Sequence, residues 1–333
     1  MTIPKTMRAM RIHAHGGADA MVEDEIPVPT IGPTDALVRV AFAGVNFIDI
    51  YKRAGVYKVP LPSTIGEEGA GVVVTVGSAV TNVRVGDHVA WATIGGAYAE
   101  YAVVPAAKLV NVPERVDLRL AAAVMLQGMT AHYLATSVYP LKAGDRALVH
   151  AAAGGVGLLL VQIAKNRGAF VIGTVGSSNK VALAEQAGAD AVINYTTHDF
   201  AAEVLQHTSQ HKLNVVYDSV GATTYLAGFD LLVPRGMMVV FGQSSGVVPP
   251  LDPLLLSQKG SLFLTRPTLG HYTATTEELR WRAHDLFEWI GNGSLNVRID
   301  SEYALAKAGD AHSALEGRGT MGKVLITCGG TAG

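Results

Sequence analysis

The sequence predicts an α/β protein in which a doubly wound parallel sheet is joined to a β-rich domain of barrel or sandwich type. Three observations carry this. The stretch Ala151-Ala152-Ala153-Gly154-Gly155-Val156-Gly157 lies between a short apolar strand pattern, Arg146 to His150, and a run of helix formers, Val156 to Asn166, stopped by Gly168. From about Gln127 onward strand and helix patterns alternate. Before that point, short Val- and Ala-rich runs are separated by Pro and Gly punctuation.

In the first third the strand candidates are Met7 to His13, Ala36 to Val45, Gly69 to Val76, His88 to Ala92 and Ala97 to Val104. Pro27-Val28-Pro29, Gly32-Pro33, Gly55, Gly86-Asp87 and Gly95-Gly96 break them apart, the rhythm of a barrel or sandwich. Asn46 to Ala54 reads as a short helix or turn. In the alternating region the strands are Ala147 to His150, Phe170 to Val175, Ala191 to Ile193, Val215 to Asp218, Met237 to Phe241 and Leu262 to Leu264. The helices are Val156 to Asn166, Lys180 to Ala187, Asp199 to His207 and Tyr225 to Leu232. Near the end, Thr275 and Glu278 form a capping box. Leu279, Ala283, Leu286, Phe287 and Ile290 then recur at helical spacing until Gly291 and Gly293. Lys323 to Cys328 is a final strand expected to return to the first domain.

A strand, a glycine turn and a helix N-terminus make an anion site, because the backbone can approach a phosphate and the first helical N–H groups face it. The spacing is that of a dinucleotide fingerprint, with Ala152 in place of the first glycine. A sheet that binds NAD places an acid about 20 residues further on, for the ribose hydroxyls. Here the second strand runs into Val175-Gly176-Ser177-Ser178-Asn179-Lys180, with no acid. Hydroxyls and a lysine suit a 2′-phosphate, and Tyr195 after the third strand can reach the same end, so NADPH is expected over NADH.

Composition narrows the rest. Of 333 residues, 49% are hydrophobic and 16% charged, enough apolar material for the cores of two domains. A net charge of −2 gives no footprint for nucleic acid or an anionic membrane. No run approaches the roughly 18 apolar residues of a membrane span, and Met1 to Met10 has no apolar signal core, so a cytoplasmic protein is expected. Cys328 is the single cysteine, which excludes an internal disulfide and any zinc site built on several thiolates.

The chain resembles the zeta-crystallin-like quinone oxidoreductases, a zinc-free branch of the medium-chain dehydrogenases and reductases. The resemblance covers nearly the whole chain. It is carried by AGVNFIDIYKRAGVY (Ala43 to Tyr57), GEEGAGVV (Gly66 to Val73), VGDHVA (Val85 to Ala90), MLQGMTAHYL (Met125 to Leu134), HAAAGGVG (His150 to Gly157), VYDSVG (Val216 to Gly221) and FLTRPTLGHY (Phe263 to Tyr272). It implies a GroES-like, barrel-like catalytic domain over residues 1–126 and 268–333, with an NADPH-binding Rossmann domain over 127–267 inserted in it. It also implies NADPH as hydride donor, a quinone acceptor and a homodimer. Asn46 and Tyr51 would lie near the nicotinamide, with Gln127 and Thr130 beside them. Gly154, Gly155, Val156 and Gly157 would meet the pyrophosphate, and Ser177, Lys180 and Tyr195 the 2′-phosphate. Ser219, Phe241, Gly242 and Ser244 fall at carboxyl ends of strands, where this fold binds ligands. Phe263, Thr265 and Arg266 would approach the nicotinamide half, and Arg318 the phosphate end or, equally, open solvent.

Zinc relatives of the superfamily keep a cysteine at the position of Asn46 and a histidine at that of Glu67, within Gly66-Glu67-Glu68. With both changed, no metal site is expected. Glu67 and Glu68 then read as a turn held by salt bridges or as a helix end. Without a Lewis acid to lower an alcohol's pKa, alcohol oxidation is disfavoured, whereas an electron-poor quinone needs little more than positioning, with weak hydrogen bonds from Asn46 and Tyr51. The alternatives are a reductase of activated double bonds, an enone or enoyl thioester, with Tyr51 as proton donor, and a non-enzymatic, crystallin-like NADPH-binding protein.

Overall fold

A computed structural model describes residues 2–329, and the chain divides into two units, Met1–Met129 with Thr273–Gly333, and Thr130–Tyr272. Residues 1 and 330–333 of the expected first domain lie outside the described residues. The chain starts with β1 (Thr6–Ile12), β2 (Met21–Pro27), β3 (Asp35–Val45), α1 (Phe47–Arg53), β4 (Ser63–Thr64), β5 (Glu68–Val76), β6 (His88–Ala92), β7 (Tyr101–Pro105), β8 (Val110–Asn111) and α2 (Leu118–Tyr133). It alternates through β9 (Arg146–Val149), α3 (Gly155–Asn166), β10 (Phe170–Val175), α4 (Val181–Gln186), β11 (Ala191–Asn194), α5 (Phe200–His207), β12 (Leu213–Asp218), α6 (Tyr225–Asp230) and β13 (Leu232–Val240). It ends with α7 (Leu254–Gln258), β14 (Phe263–Thr265), α8 (Leu269–Tyr272), α9 (Thr276–Gly291), β15 (Ile299–Ala304), α10 (Ala308–Glu316) and β16 (Lys323–Thr327).

In the unit Thr130–Tyr272 the strands lie in the order β11-β10-β9-β12-β13-β14, all parallel. Strands covered on both faces read as continuous apolar runs. Ala147, Leu148 and Val149 of β9 and Val215, Val216 and Tyr217 of β12 are accordingly all fully buried. This is the doubly wound sheet that the alternation predicts, with its chain reversal between β9 and β12.

The other unit is β-rich. One sheet follows the path β15-β16-β3-β5-β6-β8, with β7 also pairing β3, and a smaller sheet is ordered β2-β1-β4. β3 is its axis, flanked antiparallel by β16 (Val45↔Val324) and by β5 (Ala43↔Gly69). The final strand therefore returns to the first domain as expected. Val38, Val40, Trp91, Tyr98, Val104 and Ile326 belong to one buried core.

Several local expectations are corrected. Leu118–Tyr133 is a helix, an element absent from the sequence reading. Its run of buried Ala and Met residues is apolar on nearly every side, so no amphipathic period announces it. The strand expected from Ala97 begins at Tyr101, because the backbone of residues 97–100 bonds instead to Gly66, Ile65, Met10 and Arg8. The helix from Tyr225 stops at Asp230, and Leu232 already belongs to β13, where it lies opposite Leu213. β2, β15 and α10 were unforeseen: β2, with Glu23, Asp24 and Glu25, looks like a polar loop but is a strand paired along its whole length with β1.

Candidate functional site

In the nucleotide-type unit, β9 leads through His150 to a turn and then α3, whose N-cap is Gly154 with no side-chain cap. Ala151 takes φ +53°, and its carbonyl accepts from Gly154 N–H at 2.9 Å. A Cβ on Gly157 would fall on the Ala151 carbonyl oxygen and 2.8 Å from Ala152 Cα, so only glycine lets the helix start this close to the turn. Ala152 is tolerated in the place of a glycine because Gly173 of β10 faces it. A side chain at 173 would stand 2.7 Å from the Ala152 methyl. The result is a glycine-lined cradle at a helix N-terminus, shaped for a pyrophosphate.

Parallel pairing puts the carboxyl ends of all six strands on one edge. Beyond β10, Ser177 Oγ donates to Asn179 Oδ1 at 2.5 Å, and Ser178 Oγ accepts from Asn194 Nδ2 at 3.3 Å. Lys180 closes the short turn Ser178–Lys180 and is the N-cap of α4, not its first residue as expected. A Cβ on Gly176 would lie 2.7 Å from the Tyr195 hydroxyl, so Tyr195 reaches the same loop. Ser177, Lys180 and Tyr195 are thus together. Beyond β12 and β13, Ser244 N–H donates to Ser219 O at 3.2 Å, and Phe241 N–H donates to Asp218 O at 2.8 Å. A Cβ on Gly242 would lie 2.6 Å from Ser219 O. Buried Asp218 holds that loop through Val220 N–H, Gly221 N–H and Thr224 Oγ1. Arg266, just past β14, donates to Gln243 Oε1 at 2.9 Å; Thr265 ends that strand, and Phe263 opens it with an exposed ring. Gln127 and Thr130 lie three residues apart on α2, hence on one face, both buried. Arg318 belongs to the other unit, where it follows α10 at φ +56°.

In the β-rich unit α1 grips the Glu67-Glu68 segment at every third residue. Asn46 Nδ2 donates to Glu68 Oε2 at 2.9 Å, Asp49 Oδ1 accepts from Glu67 N–H at 3.0 Å, and Lys52 Nζ pairs with Glu67 Oε1. Lys323 of β16 closes the group, donating to Asn46 Oδ1 at 2.8 Å and pairing with Glu68 Oε2. Both amide protons of Asn46 are used, the second on Gly44 O at 3.3 Å. Asn46 therefore spends both protons on its neighbours and holds them in place. Tyr51, on the same helix, is half-buried, its ring near Phe47 and Tyr57.

A second chain of polar groups runs inward from Asp49. Tyr98 Oη donates to Asp49 Oδ2 at 3.1 Å and meets His312 Nε2 at 3.1 Å. Arg53 lies 3.2 Å from His312 Nδ1 and donates to Glu316 Oε1. Because Arg53 can only donate, His312 accepts at Nδ1 and is the neutral Nε2–H tautomer. Burial, then the charge of Arg53, lowers its pKa to about 3. Burial, then the charge of Glu67, raises Asp49 to about 7 against Asn46 N–H, Lys323 and the Tyr98 hydroxyl. Lys323, Glu68, Asp49, Tyr98 and His312 had not been picked out as site residues. The available signals were a lysine opening an otherwise apolar strand and a glycine, Gly44, near the end of another.

This donor set does not fit a zinc ion. Asn46 and Glu67, at the two positions that would supply ligands, each hold an ammonium group, and a second cation there would be repelled. Among the described residues no cluster of three or more His, Cys, Asp or Glu could hold a metal.

Comparison with known proteins gives the same outline. Residues 32–114 match the alcohol dehydrogenase GroES-like domain, and residues 155–288 match a model described as zinc-binding dehydrogenase. The quinone oxidoreductase of Pseudomonas aeruginosa is 45% identical over 96% of this chain and 99% of its own length. A 2-haloacrylate reductase from a Burkholderia species is 40% identical over 95% of this chain and 97% of its own. The crystal structure of Escherichia coli quinone oxidoreductase complexed with NADPH superposes with a TM-score of 0.94 at 40% identity, covering 96% of this chain and 99% of that one.

Proposed function

Because this chain belongs to the quinone oxidoreductases of the medium-chain dehydrogenase/reductase superfamily, we infer that it is an NADPH-dependent quinone reductase that transfers a hydride without a metal. The observation that carries this is the end of β10, where Ser177, Lys180 and Tyr195 gather and no acid stands. Hydroxyls and an ammonium favour a 2′-phosphate, which NADH lacks.

Gly154 to Gly157 would hold the pyrophosphate, and Ser177, Lys180 and Tyr195 the 2′-phosphate. Ser219, Phe241, Gly242, Ser244, Thr265 and Arg266 lie along the same strand edge. When bound, NADPH supplies a hydride. The unit Met1–Met129 with Thr273–Gly333 is assigned the acceptor side, with Tyr51 as the hydroxyl that orients the quinone carbonyl. Hydride and one proton convert the quinone to the hydroquinone, and that proton comes from solvent. The hydroquinone anion is stable enough that Tyr51 need not be an obligatory acid.

A second reading, reduction of an activated double bond, is favoured by the 2-haloacrylate reductase among the relatives. NADPH oxidation measured against ortho-quinones, para-quinones, enones and crotonyl thioesters decides between them. Quinone turnover well above the others is expected; turnover of the enones or thioesters alone would replace the reading. A cytoplasmic homodimer is part of the proposal, supported by the apolar edge strand β14 and by the reliance on NADPH.

A further inference from the structure

We propose that Lys323 is a positioning residue of the reductase site, fixing through Asn46 and Glu68 where α1 sets Tyr51 and where α2 sets Gln127. The register of β3 brings the three together. Ala43 lies opposite Gly69 and Val45 opposite Val324, so Glu68 falls beside Gly44 and Lys323 beside Asn46. The backbone is built around the pair. A Cβ on Gly44 would fall on Glu68 Oε2 and lie 2.7 Å from Lys323 Cε.

The side chains of Lys323 and Glu68 are 1% and 0% exposed. A buried ion pair is weak evidence for stability, because desolvation offsets its attraction and a well-packed apolar pair often does as well. Its geometric consequence is stronger. Lys323 holds Asn46, the N-cap of α1, five residues before Tyr51. Glu68 uses its other oxygen to accept from Leu126 N–H at 2.6 Å, one residue before Gln127. A helical N–H tied sideways to a carboxylate fixes both the rotation and the height of that turn. One ammonium therefore sets two elements, at the place where zinc relatives use a metal ligand.

This inference rests on the quinone reductase reading for its kinetic arm and is independent of it for its structural arm. Lys323→Met alone would strand a buried carboxylate, so the test variant is Lys323→Met with Glu68→Gln, neutral at both places. We expect it to unfold cooperatively and to bind NADPH within about twofold of wild type. Quinone kcat should fall about tenfold or more, and the kinetic isotope effect with 4-deuterated NADPH should rise as hydride transfer becomes slower than the other steps. Amide exchange by mass spectrometry over residues 47–53 should quicken while β12 and β13 stay protected. A fall in kcat that only tracks the folded fraction, with an unchanged isotope effect, would reduce the pair to a stabilising contact and overturn the proposal; so would unchanged kcat. If wild type reduces no quinone, the functional reading fails, and exchange over 47–53 alone decides: faster supports the proposal, unchanged overturns it.

Discussion

The ammonium of Lys323 lies 2.8 Å from Asn46 Oδ1, although the two residues are 277 positions apart. That bond and the Lys52–Glu67 pair put two cations against the groups that would otherwise ligate a metal. The purified protein should contain no stoichiometric zinc, and chelators should leave activity intact. Elemental analysis showing one tightly held zinc per chain would prove the two ammonium groups misassigned.

Lys180 should be a main cause of the nucleotide preference. A hydrogen bond to a charged group contributes about 1.5–3 kcal/mol. Lys180→Ala should weaken NADPH binding about ten- to a hundredfold and leave NADH nearly unchanged. Titration of both nucleotides by fluorescence checks this, and equal losses would remove Lys180 from the 2′-phosphate.

Tyr51 separates the two chemistries. With a quinone, Tyr51→Phe should cost less than about a hundredfold in turnover, the low end of what a general acid supplies. With an enone it should cost far more, because the carbon that receives a proton needs a donor. Loss of quinone reduction by several thousandfold, with NADPH binding intact, would make Tyr51 an obligatory acid.

Asp49 and His312 give opposite pH dependences. Asp49 rises to about 7 in the fold, from about 4 in an unfolded chain, so the folded protein holds the extra proton between those values. Its contribution to stability is full below about 4 and is lost as pH rises through 7. His312 falls to about 3 from the usual 6.5, so its contribution grows as pH rises from 3 to 6.5. Asp49→Asn removes the first slope. Relative to wild type, the variant should gain up to about 1.4 kcal/mol per pH unit between pH 4.5 and 6.5, flattening above about 7. Urea unfolding at pH 5, 6 and 7.5 measures the difference; parallel profiles would mean that Asp49 stays ionised throughout.

β14 ends the parallel sheet with Phe263 56% and Leu264 39% exposed. An apolar edge invites pairing with its own copy across a two-fold axis. Light scattering should give twice the chain mass of 34.9 kDa, and Phe263→Lys should shift it toward the monomer. A wild-type monomer at working concentration counts against the dimer.

Much of the nucleotide half was legible because its signals are local. Gly154 to Gly157 sit within one strand-turn-helix unit, and Ser177, Lys180 and Tyr195 follow strands that their own Val and Ile runs declare. The α1 stretch was legible for the same reason. The Lys323, Glu68 and Asn46 group was not. It depends on β3 being flanked by β5 on one side and β16 on the other, and no window of sequence contains that pairing. Glu67 and Glu68 read from the sequence as a turn held by salt bridges or as a helix end; the salt bridges are there, from Lys52 and from β16, but Glu68 opens strand β5. His312 lay in a helix, α10, that no pattern had revealed.

The late position of Lys323 also orders events on the ribosome. The stretch Thr130–Tyr272 is synthesised in full before β16, and domains tend to fold as units during synthesis. Asn46 and Glu68 are made before that stretch, yet their cation lies 277 and 255 residues downstream. A nascent chain stalled before residue 323 would thus carry a nucleotide-binding fold whose α1 and α2 are not yet joined through that cation, and it would reduce its acceptor only slowly.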